Sequence, residues 1–221
     1  MRIVIINPNS DSAQTAQIDR AAKAFAADRF EVVTLATPGA PQYIDTCMDA
    51  AKALPGMLAL VEQWEEKADA YVIACHCDPN LTILREASAH PVLGIGEASF
   101  YLAAMLGDSF SVISTGVYSN PNKVNLIRSY HMEQHFASIR NPEGVGSELE
   151  RYIRAGRRCM EEDGAEVIIL GCAGLCQLAE DMTAALGVPV LDGVVCALSV
   201  AEGMVHAGLK TSKFRYYSAG K

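Results

Sequence analysis

The stretch Glu166-Val167-Ile168-Ile169-Leu170-Gly171-Cys172 is an apolar run ending in a small residue and a cysteine, and Ala70-Tyr71-Val72-Ile73-Ala74-Cys75 is its counterpart in the first half of the chain. Each is followed by a helix-like stretch and then by a second short apolar run. After Cys75 that run is His90-Pro91-Val92-Leu93, and after Cys172 it is Val188-Pro189-Val190-Leu191. The offset is 97 positions at the cysteines and 98 at the prolines. Continuous Val/Ile runs without polar alternation suit parallel strands covered on both faces. The chain thus carries one strand-helix-strand unit twice, with a thiol at the same point of each. Packed about a pseudo-twofold axis, the two units would aim both thiols at one crevice, a geometry suited to taking a proton from one face of a carbon and returning it to the other.

Outward from these runs the same pattern continues. Strands are predicted at Arg2–Ile6, Glu31–Leu35, Ala70–Ala74, Val92–Ile95, Phe110–Ser114, Phe136–Ile139, Glu166–Leu170 and Pro189–Leu191. Helices are predicted between them at Asp11–Ala27, Met48–Lys67, Leu81–Ala89, Glu97–Leu106, Asn122–His131, Gly146–Glu162, Leu175–Leu186 and Val194–Ala207. Strand-helix alternation over this length implies an α/β fold with parallel sheets. The expected organisation is one unit over residues 1–221, made of two intertwined halves. These comprise roughly 1–95 plus the C-terminal helix, and 96–205, with Arg140-Asn141-Pro142-Glu143-Gly144 as the one linker-like break near the second half.

Composition narrows the class. With 221 residues, half of them hydrophobic, the chain can bury a sizeable core, and a compact enzyme is the expectation. A net charge of −8 argues against nucleic acid and against anionic membranes as partners, because both need clustered Lys and Arg. No apolar run approaches the ~18–20 residues of a transmembrane span, and Met1-Arg2-Ile3-Val4-Ile5-Ile6 is broken too soon by Asn7-Pro8 to read as a signal peptide. A cytoplasmic location is therefore expected, with the seven cysteines reduced. The expected partner is a small-molecule substrate, and the expected state a homo-oligomer.

In open parallel sheets, ligands bind beyond the carboxyl ends of the strands. Four loops fall there: Asn7–Asp11, Cys75–Asn80, Ser114-Thr115-Gly116 and Gly171-Cys172-Ala173-Gly174. Each offers small polar residues and backbone N–H groups to an anionic or carbonyl oxygen. Asp78 followed by Pro79 reads as a helix N-cap with proline at the first helical position, which would set Cys75 just before a helix start and lower its pKa.

These residues resemble a known family. Ile6-Asn7-Pro8-Asn9-Ser10, Ala74-Cys75 with Asp78-Pro79, Ser114-Thr115, Leu170-Gly171-Cys172-Ala173-Gly174-Leu175 and Val188-Pro189-Val190-Leu191-Asp192-Gly193 are similar, in order along nearly the whole chain, to the hydantoin and allantoin racemase branch of the aspartate/glutamate racemase superfamily. The resemblance implies two flavodoxin-like α/β halves with the active site between them, and cofactor-independent racemisation in which Cys75 and Cys172 exchange roles as base and acid. The expected binding set around the thiols is Asn9, Ser10, Pro41, Tyr43, His76, Cys77, Ser114, Thr115, Ala173 and Gly174, with no metal. The family usually has Phe after the first cysteine and Gly after the Asp-Pro pair, where this chain has His76 and Asn80. His76 is expected to exchange an aromatic pocket wall for one that hydrogen-bonds the substrate.

The blander readings stand beside these. A cysteine at a strand end is most often a buried small hydrophobe, and only the duplicated placement of Cys75 and Cys172 reverses that. Cys47, Cys159 and Cys196 lack such symmetry and read as packing residues, as does Cys176, one turn beyond Cys172. A zinc reading of Cys75-His76-Cys77-Asp78 suffers from having one residue between the cysteines where two to four are usual. The absence of Arg and Lys from the four loops favours a neutral cyclic ureide over a free diacid. The alternatives are amino-acid racemisation, diacid isomerisation, malonate decarboxylation, or a thiol-based redox or metal sensor.

Overall fold

The computed structural model describes residues 1–218. Eight strands form two separate parallel sheets of four. The first contains β1 (Arg2–Asn7), β2 (Glu31–Ala36), β3 (Ala70–Ile73) and β4 (Val92–Gly94) in the order β2-β1-β3-β4. The second contains β5 (Phe110–Ile113), β6 (Phe136–Arg140), β7 (Val167–Leu170) and β8 (Val190–Asp192) in the order β6-β5-β7-β8. Every pairing is parallel. The same order occurs twice, so the strands that precede Cys75 and Cys172, β3 and β7, hold the same position in their sheets. Both are buried along their whole length, which is why their sequences run apolar without alternation.

The helices are α1 (Ser12–Ala26), α2 (Cys47–Trp64), α3 (Leu81–Ala87), α4 (Ile95–Leu106), α5 (Asn120–Ser129), α6 (Glu148–Glu161), α7 (Ala179–Leu186) and α8 (Gly193–His206). Local chemistry fixes several starts. Asp11 accepts from the Ala13 and Gln14 N–H groups, and Thr46/Asp49 and Ser147/Glu150 form capping boxes for α2 and α6. Helix α7 is preceded by a 3₁₀ stretch, Ala173–Leu178, so the helix expected from Leu175 begins four residues later. No helix among the described residues is long and apolar enough to cross a membrane.

Two helices knit the sheets together. Val194, Ala197, Leu198 and Ala201 of α8 are buried with Ile3, Ile5 and Val72 of the first sheet, although α8 follows the second sheet in sequence. Phe100 and Ala103 of α4 are buried with Phe110, Val112, Val167 and Ile169 of the second sheet. The two helices meet at Gly193, where a Cβ would lie 3.0 Å from the Ile95 carbonyl oxygen. Glycine is what lets the helix starts approach this closely.

One expected cap is different. Asn80, with φ of 63°, precedes α3, and Asp78 does not cap it. The Asp78 carboxylate instead accepts from the N–H groups of Gly96 and Glu97, at 2.9 and 2.7 Å, and from the Tyr130 hydroxyl at 2.9 Å. It caps α4, the helix after the next strand. The pairing is non-local, and Gly94 makes room for it by having no Cβ.

Candidate active site

The carboxyl ends of both sheets open onto one cavity of about 120 Å³. From the first sheet come Asn9 and Gln14, the Tyr43–Asp45 loop and Ala74–Cys77. From the second come Thr115, Ser119 and Lys123, with Gly171–Ala173. The volume lies well under the ~300–1,000 Å³ of sites for drug-sized ligands, so a small ring or short acid fits its scale. Cys75 and Cys172, each directly beyond its sheet's equivalent strand, enter this cavity from opposite sheets, and both are partly buried.

The other expected binding residues divide. Asn9, Tyr43, His76, Cys77, Thr115 and Ala173 line the cavity. Ser10 is exposed, and its N–H donates to the Pro41 carbonyl, which ties the two loops together outside the lining. Ser114 is fully buried, its hydroxyl turned to the Gly116 carbonyl and to Ser119. Gly174 lies behind Cys172, where a Cβ would approach Sγ to 3.7 Å, and its carbonyl accepts from Gln17.

A chain of amides runs from the end of β1 to one of the sulfurs. Asn7 donates to Asn9 Oδ1 at 2.8 Å, Asn9 Nδ2 to Gln14 Oε1 at 2.6 Å, and Gln14 Nε2 to Cys172 Sγ at 3.7 Å. Asn9 therefore acts on Cys172 through Gln14. Gln14 was not legible as a site residue, because it sits within a helix and its only signal is one turn's distance from the Asn9 loop.

The first thiol departs from expectation. Cys75 does not stand at a helix start, because α3 begins six residues later. Its thiol hydrogen-bonds Cys77, which together with burial holds Cys75 well above an ordinary thiol. The same contact brings Cys77 down to about 7, with burial opposing and the Lys123 charge assisting. One proton thus leaves the pair readily and the second is held. Cys172 is pushed up by burial, against the Gly174 N–H and Lys123.

The His76 ring also lies elsewhere than expected. It is 2% exposed, with Nε2 3.1 Å from Ser99 Oγ on α4 and its ring edge-on to Phe100 at 5.2 Å. Burial, with Lys123 nearby, lowers its pKa to about 3, so it is neutral at physiological pH, and its Nδ1 has no hydrogen-bond partner. Cys47, expected as a packing residue, is exposed at the start of α2, whereas Cys159 and Cys196 are buried. Among the described residues, no group of three or more His, Cys, Asp or Glu side chains is gathered as a metal ion would require.

The four loops lack Lys and Arg, yet a cation reaches the cavity from α5. Lys123 is 3% exposed and donates to Ser119 Oγ at 2.7 Å. The expectation that no cation faces the site, drawn from loop composition, is corrected by this helix.

The family model for Asp/Glu/hydantoin racemase matches residues 3–201. A hydantoin racemase of Pseudomonas sp. (strain NS671) is 39% identical over 98% of this chain and 91% of the relative, and a hydantoin racemase of Rhizobium meliloti is 37% identical over 99% and 94%. Among solved structures, an allantoin racemase from Klebsiella pneumoniae superposes with a TM-score of 0.94 at 34% identity, covering 100% of this chain and 94% of that one. With its duplicated parallel sheets closing on one small cavity, the chain belongs to the Asp/Glu/hydantoin racemase family and is an isomerase of the racemase type.

Proposed function

We propose that this protein racemises a 5-substituted hydantoin or an allantoin-like ureide without a cofactor, by proton transfer between Cys75, Cys172 and the ring carbon next to a carbonyl. One sulfur, as thiolate, takes the proton from one face, so that an S–H bond forms as the C–H bond breaks. The electron pair delocalises onto the adjacent carbonyl oxygen as an enolate. The opposite thiol then gives its proton to the other face, leaving its own sulfur as thiolate. The observation that carries this reading is the pair of thiols entering one small cavity from equivalent strand ends of two repeated sheets. The similarity to hydantoin racemases at 37–39% identity favours a ureide ring.

The resting charge falls to the Cys75/Cys77 pair, whose first proton leaves near neutrality while Cys172 keeps its own. That asymmetry sets the anion on Cys77 beside Cys75, where Cys77 takes the Cys75 proton and so leaves Cys75 as the thiolate opposite the Cys172 thiol. Buried Lys123 is the observation favouring a second reading, an amino acid or diacid carrying its own carboxylate. The test is loss of optical rotation across hydantoins, allantoin, amino acids and diacids, with and without a chelator. Racemisation of ureides unaffected by chelator supports the first reading. Activity confined to free acids would replace it with the second, and stoichiometric metal with chelator-sensitive activity would overturn both.

A further inference from the structure

Among the described residues Lys123 is the only Lys or Arg on the cavity wall, and it is buried to 3% exposure. Its stem passes over the residue before Cys172. A Cβ on Gly171 would lie 3.3 Å from Lys123 Cε, so glycine there leaves the path open. The ammonium carries three donors, of which Ser119 Oγ takes one at 2.7 Å. Among the described residues no carboxylate lies within 4.0 Å of it, unlike the half-buried Arg85 and Arg140, which pair with Glu97 and Asp163. A buried cation without an anion is costly to keep. Structures retain such arrangements where negative charge arrives during function. Its charge is felt by Cys75, Cys77 and Cys172 alike, each of which it favours as an anion, and so it sits central to the thiols.

We infer that Lys123 is a catalytic residue whose ammonium donates to the substrate carbonyl oxygen that becomes the enolate oxygen, holding the negative charge in place while the proton is exchanged between the two thiols. This rests on the two-thiol ureide reading above. No proton passes to or from Lys123. The C–H electron pair moves toward the ring carbonyl, the carbonyl π pair settles on oxygen, and the Lys123 N–H bond to that oxygen shortens as the charge develops. An interaction that strengthens as the enolate forms raises kcat more than it lowers KM. A cation that merely anchors a ground-state carboxylate would instead be seen in KM.

The test compares the unaltered chain with Lys123→Met and Lys123→Ala on the best ureide of the panel, reading kcat, KM, wash-in of solvent deuterium at the ring carbon, and thermal midpoint. Removing an unpaired buried charge should leave the midpoint unchanged or raise it. The expected result is a fall in kcat of about 10²–10³-fold, the scale of losing one oxyanion donor, with KM moving less than about threefold. Deuterium wash-in should fall in parallel, and ethylammonium should partly restore kcat to Lys123→Ala. Retention of kcat within about threefold, or a KM effect at constant kcat, would overturn the assignment. So would a lowered midpoint with activity lost and no rescue by amine, which marks a packing role. If the unaltered chain racemises no ureide, the functional reading fails with it. If that chain is active and the variants equal it, only the role of Lys123 fails.

Discussion

Alkylation measured against pH reads the ionisation of the Cys75/Cys77 pair directly. The perturbation is trace iodoacetamide, with a short unstructured cysteine peptide in the same tube as reference. The pair releases its first proton at about 7, and the reference at ~8.5. At pH 6 the thiolate fractions are ~0.09 and ~0.003, a ratio of ~30. A more acidic thiolate is a weaker nucleophile, and over 1.5 pH units a Brønsted slope of ~0.4–0.5 returns ~5-fold, leaving a net ratio of ~6. At pH 8.5 the fractions differ only ~2-fold, and the same correction puts the reference ahead, at a ratio of ~0.4. Partial burial of Cys75 and Cys77 slows every measurement equally, so it cancels from the ~15-fold fall in relative rate between the two pH values. Tandem mass spectrometry of the peptide spanning residues 75–77 locates the label, and saturating substrate should protect it. A relative rate that stays constant over this range, or Cys172 labelling ahead of the pair at pH 6, would refute the assignment of the resting thiolate.

Four further outcomes follow from the same geometry. Cys75→Ser and Cys172→Ser should each abolish racemisation, since a hydroxyl is far too weak an acid to stand in for either thiol, while each variant exchanges deuterium into one enantiomer only; full racemase activity in either would end the two-thiol mechanism. His76→Phe should leave the relative rates across a substrate panel unchanged, because the ring at this lining position is held against Ser99 and Phe100, and a shifted preference would show that the ring itself touches the substrate. The same substitution has a pH signature. His76 has a folded pKa of about 3 against ~6.5 unfolded, so the unfolded chain binds the extra proton and the parent loses up to ~1.4 kcal/mol per pH unit as pH falls through that window. The variant should escape this loss, as urea titrations between pH 7 and 4 would record, and parallel stability curves would contradict a buried neutral His76. Gly94→Ala would put a Cβ 2.2 Å from the Asp78 carboxyl, and a loss of about 1–3 kcal/mol by chemical denaturation is expected; a variant as stable as the parent would show that Asp78 does not cap α4 through this gap.

Much of the architecture is legible in the chain because its signals are local. Apolar runs such as Val167–Leu170 mark doubly covered strands, and the 97-residue repeat places two thiols at equivalent strand ends without reference to anything distant. Strand order follows from no such signal. The close approach of α8 to α4 at Gly193 is likewise announced by nothing in its neighbouring residues. The site divides along the same line. Cys75, Cys172, Asn9 and Thr115 come from loops at strand ends, so their presence at the cavity follows from parallel topology alone. Gln14 and Lys123 come from helices, and only the packing of the second half against the first decides which helix face meets the crevice. Ionisation is more dependent still on the tertiary structure. Cys75 looked acidic from a supposed helix start, but the Asp78 that implied it caps a different helix, and the burial and hydrogen bonding of Cys75 and Cys77 set the charge instead. A repeat or a periodicity is a property of neighbouring residues and is written into the sequence, whereas electrostatics and side-chain orientation sum over groups tens of positions away and exist only once the chain has folded.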